Sequence, residues 1–507
     1  RLGPVLVREE RLVAIVKSPA GRPSMMRLGK ASDLEGDSVV DNTEAPEESR
    51  TLRNGSVVPI SDALDRAPFG LFLARHVASM VTAWAVFAAS QDATAYTFPG
   101  LQAELGASNA DMARLASAFQ LGCGLGAVCS SVIVDHCGRR PVAVASALAA
   151  AALHVLMARA ASSMGVLIVY RALQAAFWAL AMTAMSVWYV EFLPTLHRGQ
   201  LIAFYSSGWP MGRGAIILGA SATDDNWRSL WLIGGCGFGI LAAIMIASFE
   251  SPRFLLSTRR PAGANEVLAA MHEASGGKWD KKTKLWMMSS SDEKPEQFDL
   301  ASRLRFFVLG HWGVFSFSMM IFTVLSSTTV LLDTWGPVVF QKILSPAGGE
   351  LPHETLLLFN LGDLGGIIAS IVYADRLGRR RSFYIGFVLQ GALLAIMAGV
   401  SLLYPRQIAV FTVVGTIASG CRCFAWEAAT MWTLEAFPTQ LRAMALGVAW
   451  ATMRLSAVIA LYVSGKFVGS MSPPACLLFI SGGLAVGGLV VAAFFPKETA
   501  NAPMTED

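Results

Sequence analysis

Five charged side chains stand inside otherwise apolar stretches: Arg213, Asp363, Arg422, Glu427 and Arg454. Counted at about 1.5 Å per residue from the basic ends of those stretches, they lie roughly 12–21 Å deep, the middle of a bilayer. A charge there costs at least about 2.5–3.5 kcal/mol, so each needs a partner or a task. The planar guanidinium of arginine suits a carboxylate. A desolvated carboxylate titrates nearer neutral pH and can carry a proton. Three arginines against two carboxylates leave an excess of positive charge. Arg422, then Arg213, are therefore the first candidates to hold an anionic solute. Asp363 and Glu427 are candidate proton carriers, with Asp92 as a third, nearer the outer surface. Trp209 and Trp426 are candidates to line a cavity for a flat organic solute, with Gln174 as a further candidate contact. Arg422 and Glu427 stand about 140° apart around a helix, so they do not simply neutralise each other.

A second set of charges is written twice. "IVDHCGRRPV" (133–142) and "YADRLGRRRS" (373–382) place Asp135, Arg139 and Arg140 against Asp375, Arg376, Arg379 and Arg380. "EFLPTLHRG" (191–199) and "EAFPTQLRA" (435–443) likewise match Glu191 and Arg198 with Glu435 and Arg442. Both pairs are offset by about 240 residues, as are Pro99 and Pro337. Three matches at one offset argue for two similar halves in the same orientation, with a site between them. Interleaved opposite charges at a membrane face can form a gating network that holds one state and breaks in the other. Basic residues also anchor loops on one side.

Those residues need helices to position them. The chain is 54% hydrophobic and 15% charged over 507 residues, with a mean hydropathy of +0.51. About twelve apolar spans begin near 70, 112, 141, 164, 200, 228, 304, 354, 382, 407, 441 and 474, each near the roughly 20 residues a membrane helix needs. Lipid offers no hydrogen-bond partner, so the spans must be helical. The expected organisation is a disordered N-terminal tail (1–68), a six-helix half (69–256), a Lys-rich linker (257–303), a second six-helix half (304–496) and a short tail (497–507). The positive-inside bias puts both tails and the linker in the cytoplasm. No signal peptide is expected, because the first span begins only near Phe69. The seven cysteines lie in or beside spans and suit packing.

Taken in order, these motifs resemble the major facilitator superfamily over about residues 70–500. "ESPRFLL" (250–256), "FPKET" (495–499) and "RALQ" (171–174) add to the charged loops. The likeness is nearest to the sugar-porter, organic-ion and synaptic-vesicle-related branches. His136, Ser131, Ala175 and Phe249 depart from the usual pattern. The seventh span lacks the paired glutamines that hexose carriers use, which argues against a hexose. The resemblance implies an all-α membrane protein of about twelve transmembrane helices that works by alternating access as a monomer. It gives Arg171 and Arg454 structural roles and makes the hairpin charges a gate. It also puts span ten against the central cavity.

No phosphate-cradling loop, metal-ligand spacing or nucleophile–base set is present, so no cofactor, metal, nucleic acid or enzymatic activity is expected. The reading is a secondary transporter in the plasma membrane or an organelle membrane, coupling an organic anion to protons. Carriers of organic cations or sugars, and a non-transporting receptor or trafficking relative, stay open.

Overall fold

The computed structural model describes residues 6–8, 11–17 and 23–30, then residues 57–499 except 68–69, 195–200, 202–203, 287–311, 345–352, 405–406 and 438. It divides into two units, residues 1–53 and 54–507.

The first unit carries a three-stranded antiparallel sheet in the order β1 (Leu6–Arg8), β2 (Arg11–Lys17), β3 (Pro23–Lys30). The sequence reading expected disorder here. The polar average over residues 1–68 hides "RLVAIVK", whose β-branched and apolar residues favour a strand.

In the second unit, eleven described helices are long and apolar enough to cross a membrane. Spans one to four are Leu71–Tyr96, Asn109–Cys137, Arg139–Ala160 and Met164–Phe192. Span five is described over Gly208–Ala222, 15 residues, and is the twelfth; span six is Trp227–Ile246. Spans seven and eight are Trp312–Leu344 and His353–Leu377. Span nine runs from Arg379 to Leu403 and contains a π-helical turn, Ile385–Leu389. Spans ten to twelve are Ile408–Ala436, Thr439–Phe467 and Pro473–Phe494. Local signals set their ends. Ser108 and Asp111 form a reciprocal capping box at span two, and Asn226 caps span six.

Packing repeats as the sequence does. In the first half, span two packs on four, three on six and one on five; in the second, eight packs on ten, nine on twelve and seven on eleven. Glycines allow the closest approaches. A Cβ on Gly122 or Gly126 would meet the carbonyls of Ala172 and Ala176 at 2.1 and 2.3 Å; one on Gly362 or Gly366 would meet those of Thr416 and Gly420 at 2.0 and 2.1 Å. The halves meet through spans two and eleven, five and eight, and one and seven.

The ends of the spans define a hairpin face, bearing the charged loops, and an opposite face. On the hairpin face the expected linker holds helix Pro261–Ala274 and strand β5 (Lys284–Trp286), which pairs in parallel with β4 (Val57–Pro59).

Candidate functional site

Five side chains from both halves meet between the faces. Arg213 (span five) donates to Asp92 Oδ2 (span one) at 2.7 Å and to Asp363 Oδ2 (span eight) at 2.8 Å, and its Nη2 lies 3.0 Å from Asp333 Oδ1 (span seven). Arg422 (span ten) donates to Asp333 Oδ1 at 2.5 Å and to Asp363 Oδ2 and Oδ1 at 2.6 and 2.8 Å. Each arginine bridges two or more aspartates, and Arg213 crosses the boundary between the halves. This corrects the charge bookkeeping made from sequence. Three aspartates face two arginines here, so the excess is negative, and Arg213 and Arg422 already have carboxylate partners. Asp363, expected as a proton carrier, accepts at both oxygens from the two arginines. The residue that sequence reasoning missed is Asp333. Span seven was given a start near 304 but no charged residue within it, and its helix runs on through Pro337 to Leu344.

Among the described residues several cavities touch this lattice, two of them on opposite sides of it. The larger, about 240 Å³, lies towards the hairpin face and is walled by Trp84, Tyr205, Trp209, Trp426 and Trp450, with Arg213, Asp333 and Arg422 at its floor. Glu427 and Arg454 also line it. Glu427 is hydrogen-bonded to Ser206 and belongs to no ion pair among the described residues. Arg454 donates to Gln120 Oε1 at 2.6 Å and lies 5.4 Å from the Trp178 ring; no described carboxylate comes within 4.0 Å of it. Arg454, expected to be structural, thus ties span eleven to span two and also stands on the cavity wall. The smaller cavity, about 70 Å³, lies on the other side of the lattice, among Asp92, Tyr96, Pro337, Asn360 and Gln390.

The sequence of this chain matches the sugar (and other) transporter family over residues 76–506. The chain belongs to that family, within the major facilitator superfamily. This transporter is similar to svop-1 of Caenorhabditis elegans, 24% identical over 498 residues, which are 92% of this chain and 91% of that protein. It is 25% identical to the gallate transporter of Pseudomonas putida over 361 residues, 69% of this chain and 75% of that one. Its fold matches the partially occluded inward-open xylose transporter XylE of E. coli with a TM-score of 0.67 at 15% identity, covering 85% of this chain and 99% of XylE. It is thus an integral, multi-pass membrane protein.

Two predicted site residues of the transporter sit elsewhere. Arg171 is fully buried, donates to Gln174 Oε1 (2.7 Å) and to the carbonyls of Ser90 (2.8 Å) and Gln91 (3.1 Å), and lies 4.2 Å from the Phe119 ring. It ties span four to span one, in keeping with a structural role. Gln174 is equally buried and donates to Ser90 Oγ at 3.2 Å. Expected as a solute contact, it is here closed over by spans one and four, bonded to Arg171 and Ser90, and lines neither of those two cavities.

The hairpins pair within each half. Arg139 reaches Glu191 at 3.0 Å and Asp135 at 3.2 Å, and Arg379 reaches Glu435 at 2.6 Å. Asp135 is 69% exposed, so its pair contributes little. Two further carboxylates complete the motif. Glu250 accepts from the backbone N–H of Arg140 (3.1 Å), and Glu498 from those of Arg379 (2.7 Å) and Arg380 (3.1 Å). Each acid caps the helix that follows the hairpin glycine, which matches the attraction of anions to a helix N-terminus. Their signal lay in "ESPR" and "PKET", which were read only as family marks. The Arg140 side chain donates to the Met245 and Ile246 carbonyls, and Arg376 is exposed. Arg198 and the side chains of Asp375 and Arg442 lie outside the described residues.

Proposed function

We propose that this protein carries an organic anion of the aromatic carboxylate class, in symport with a proton, by alternating access through the 240 Å³ cavity. The observation that carries this reading is Arg454: a guanidinium on the wall of a tryptophan-lined cavity, held by Gln120 and paired with no described carboxylate. A guanidinium that cannot shed its proton favours a carboxylate partner, and indole faces suit a flat ring. The gallate transporter, whose substrate is an aromatic acid, is a relative consistent with this class. Arg454 thus replaces Arg422 and Arg213 as the proposed ligand. Glu427, buried and outside the lattice, is the proposed proton carrier. The basic hairpins place the hairpin face in the cytoplasm by the positive-inside bias. Cross-half contacts of the described residues cluster at the opposite face: Asn109 with Gly469, Ala113 with Gly465, and His353 with Asp225 at 3.0 Å. That arrangement supports a conformation closed outside.

Uptake of radiolabelled gallate and benzoate by proteoliposomes tests the reading. An inward proton gradient should accelerate uptake. Arg454→Lys keeps the charge but loses the fork, and should cut uptake at least tenfold. Glu427→Gln should abolish the acceleration while sparing exchange. Uptake of cations or sugars that survives Arg454→Ala, or failure to move any carboxylate, defeats the proposal.

A further inference from the structure

The smaller cavity collects oxygen atoms that have no donor. Asp92, Asn360 and Gln390 all line it, all are more than nine-tenths buried, and each has one side-chain oxygen without a hydrogen-bond partner: Asp92 Oδ1, Asn360 Oδ1 and Gln390 Oε1. The orientation of Asn360 is fixed, because its Nδ2 donates to the Pro210 carbonyl at 2.7 Å. A fourth oxygen comes from the backbone. Pro337, inside span seven and on the same cavity wall, has no N–H to give the carbonyl of Asp333, four residues earlier. Gln390 directly follows the π-helical turn Ile385–Leu389. Such turns change the helical register, often at functional sites.

The charges point the same way. Asp92 faces Arg213 directly, and Asp333, Asp363, Arg422 and Tyr96 complete the titratable and charged groups around it. Counted with every group ionised, three carboxylates and two guanidiniums leave one net negative charge, which is costly to bury. A single proton would neutralise it but would leave two amide oxygens unsatisfied, since amides do not titrate. A hard cation answers both needs, because such ions take carboxylate and carbonyl oxygens together.

We propose that this cavity binds one alkali cation, Na⁺, held by Asp92, Asn360, Gln390 and the Asp333 carbonyl. Its site touches spans one and seven and so joins the two halves. Binding stabilises the lattice, and with it the state closed at the opposite face. This rests on the carrier reading and deepens it by naming a second ion, bound apart from the proton assigned to Glu427. Its test needs no transport, so it can fail while that reading stands.

The test uses the purified full-length protein with Na⁺, K⁺ and choline at equal ionic strength and fixed pH. Na⁺ should raise the unfolding temperature more than K⁺ or choline, and ²²Na⁺ should bind saturably. Asp92→Asn should weaken the apparent Na⁺ affinity at least tenfold. Gln390→Leu, which leaves the ion-pair lattice intact, should do the same and guards against a variant that simply unfolds. Equal responses to Na⁺ and choline overturn the site. So does a response to pH that ignores Na⁺, which would assign the excess charge to a proton. Undiminished Na⁺ binding in Gln390→Leu and Asp92→Asn overturns it as well.

Discussion

Arg213 holds three aspartates from three spans, so its loss leaves three buried carboxylates facing Arg422 alone. Removing one partner of a buried ion pair costs about 3–5 kcal/mol, because the other charge stays behind. We expect Arg213→Ala to lower the thermal unfolding midpoint in detergent sharply, and Arg213→Ala with Asp92→Asn to recover part of the loss. An unchanged midpoint in the single variant would sink this view of the lattice. At this scale the sequence was partly legible. A charge in an apolar span must be paired or used, and that rule found Arg213, Asp363, Arg422 and Glu427. It also separated Arg422 from Glu427, which do lie apart, one in the lattice and one on the cavity wall. Asp333 was not found, since an apolar run gives no sign of where a helix extends past its hydrophobic length. Partners across the bundle were equally invisible, among them Gln120 for Arg454 and Ser90 for Gln174.

Among the elements, the repeated hairpins were legible because the same fold problem is solved twice. Gly138 and Gly378 take φ of +96° and +82°, a region that side chains rarely adopt. The small assembly on the hairpin face was not legible, because it joins segments far apart in sequence. There β4 meets β5, Trp279 Nε1 donates to Asn265 Oδ1 at 2.9 Å, and the His272 ring stacks on Trp279 at 5.0 Å. His272 is bonded to the Ala63 backbone, while its Nε2 is buried without a partner. Burial lowers the pKa of His272 from its usual value of 6.5. The folded state therefore binds this proton less readily than the unfolded state does. The stability from neutral His272 is fully present above about pH 6.5 and is lost as pH falls from there towards the lowered folded value. The protection of the amides of residues 57–65, corrected for the intrinsic exchange rate at each pH, should be weaker at pH 5.5 than at pH 7.5, and His272→Phe, which keeps the stack, should remove the difference. Equal pH dependence in both proteins would clear His272 of this role.

Across the whole molecule, one offset of about 240 residues in the sequence became one set of helix pairings in each half. Two-half architecture was readable because each half must bury the same helix faces. The conformation was not, since the same sequence serves every state of a carrier. In this state the lattice and the opposite-face contacts join the halves, while the described hairpin ion pairs stay within their own half. The hairpins therefore brace each half internally, and the movable joint lies at spans two and eleven. Asn109 and Gly469 mark that joint: a Cβ on Gly469 would lie 2.6 Å from Asn109 Nδ2. Cysteines at both positions should cross-link on oxidation and hold the opposite face shut. A carrier that must open there on each cycle cannot tolerate the link. Gallate uptake should fall to below about a tenth of the reduced protein's rate and return when the bond is reduced, whereas either cysteine alone should leave uptake unaffected by oxidant. Full uptake through a complete cross-link would show that the halves do not part at spans two and eleven, and alternating access at this joint would have to be abandoned.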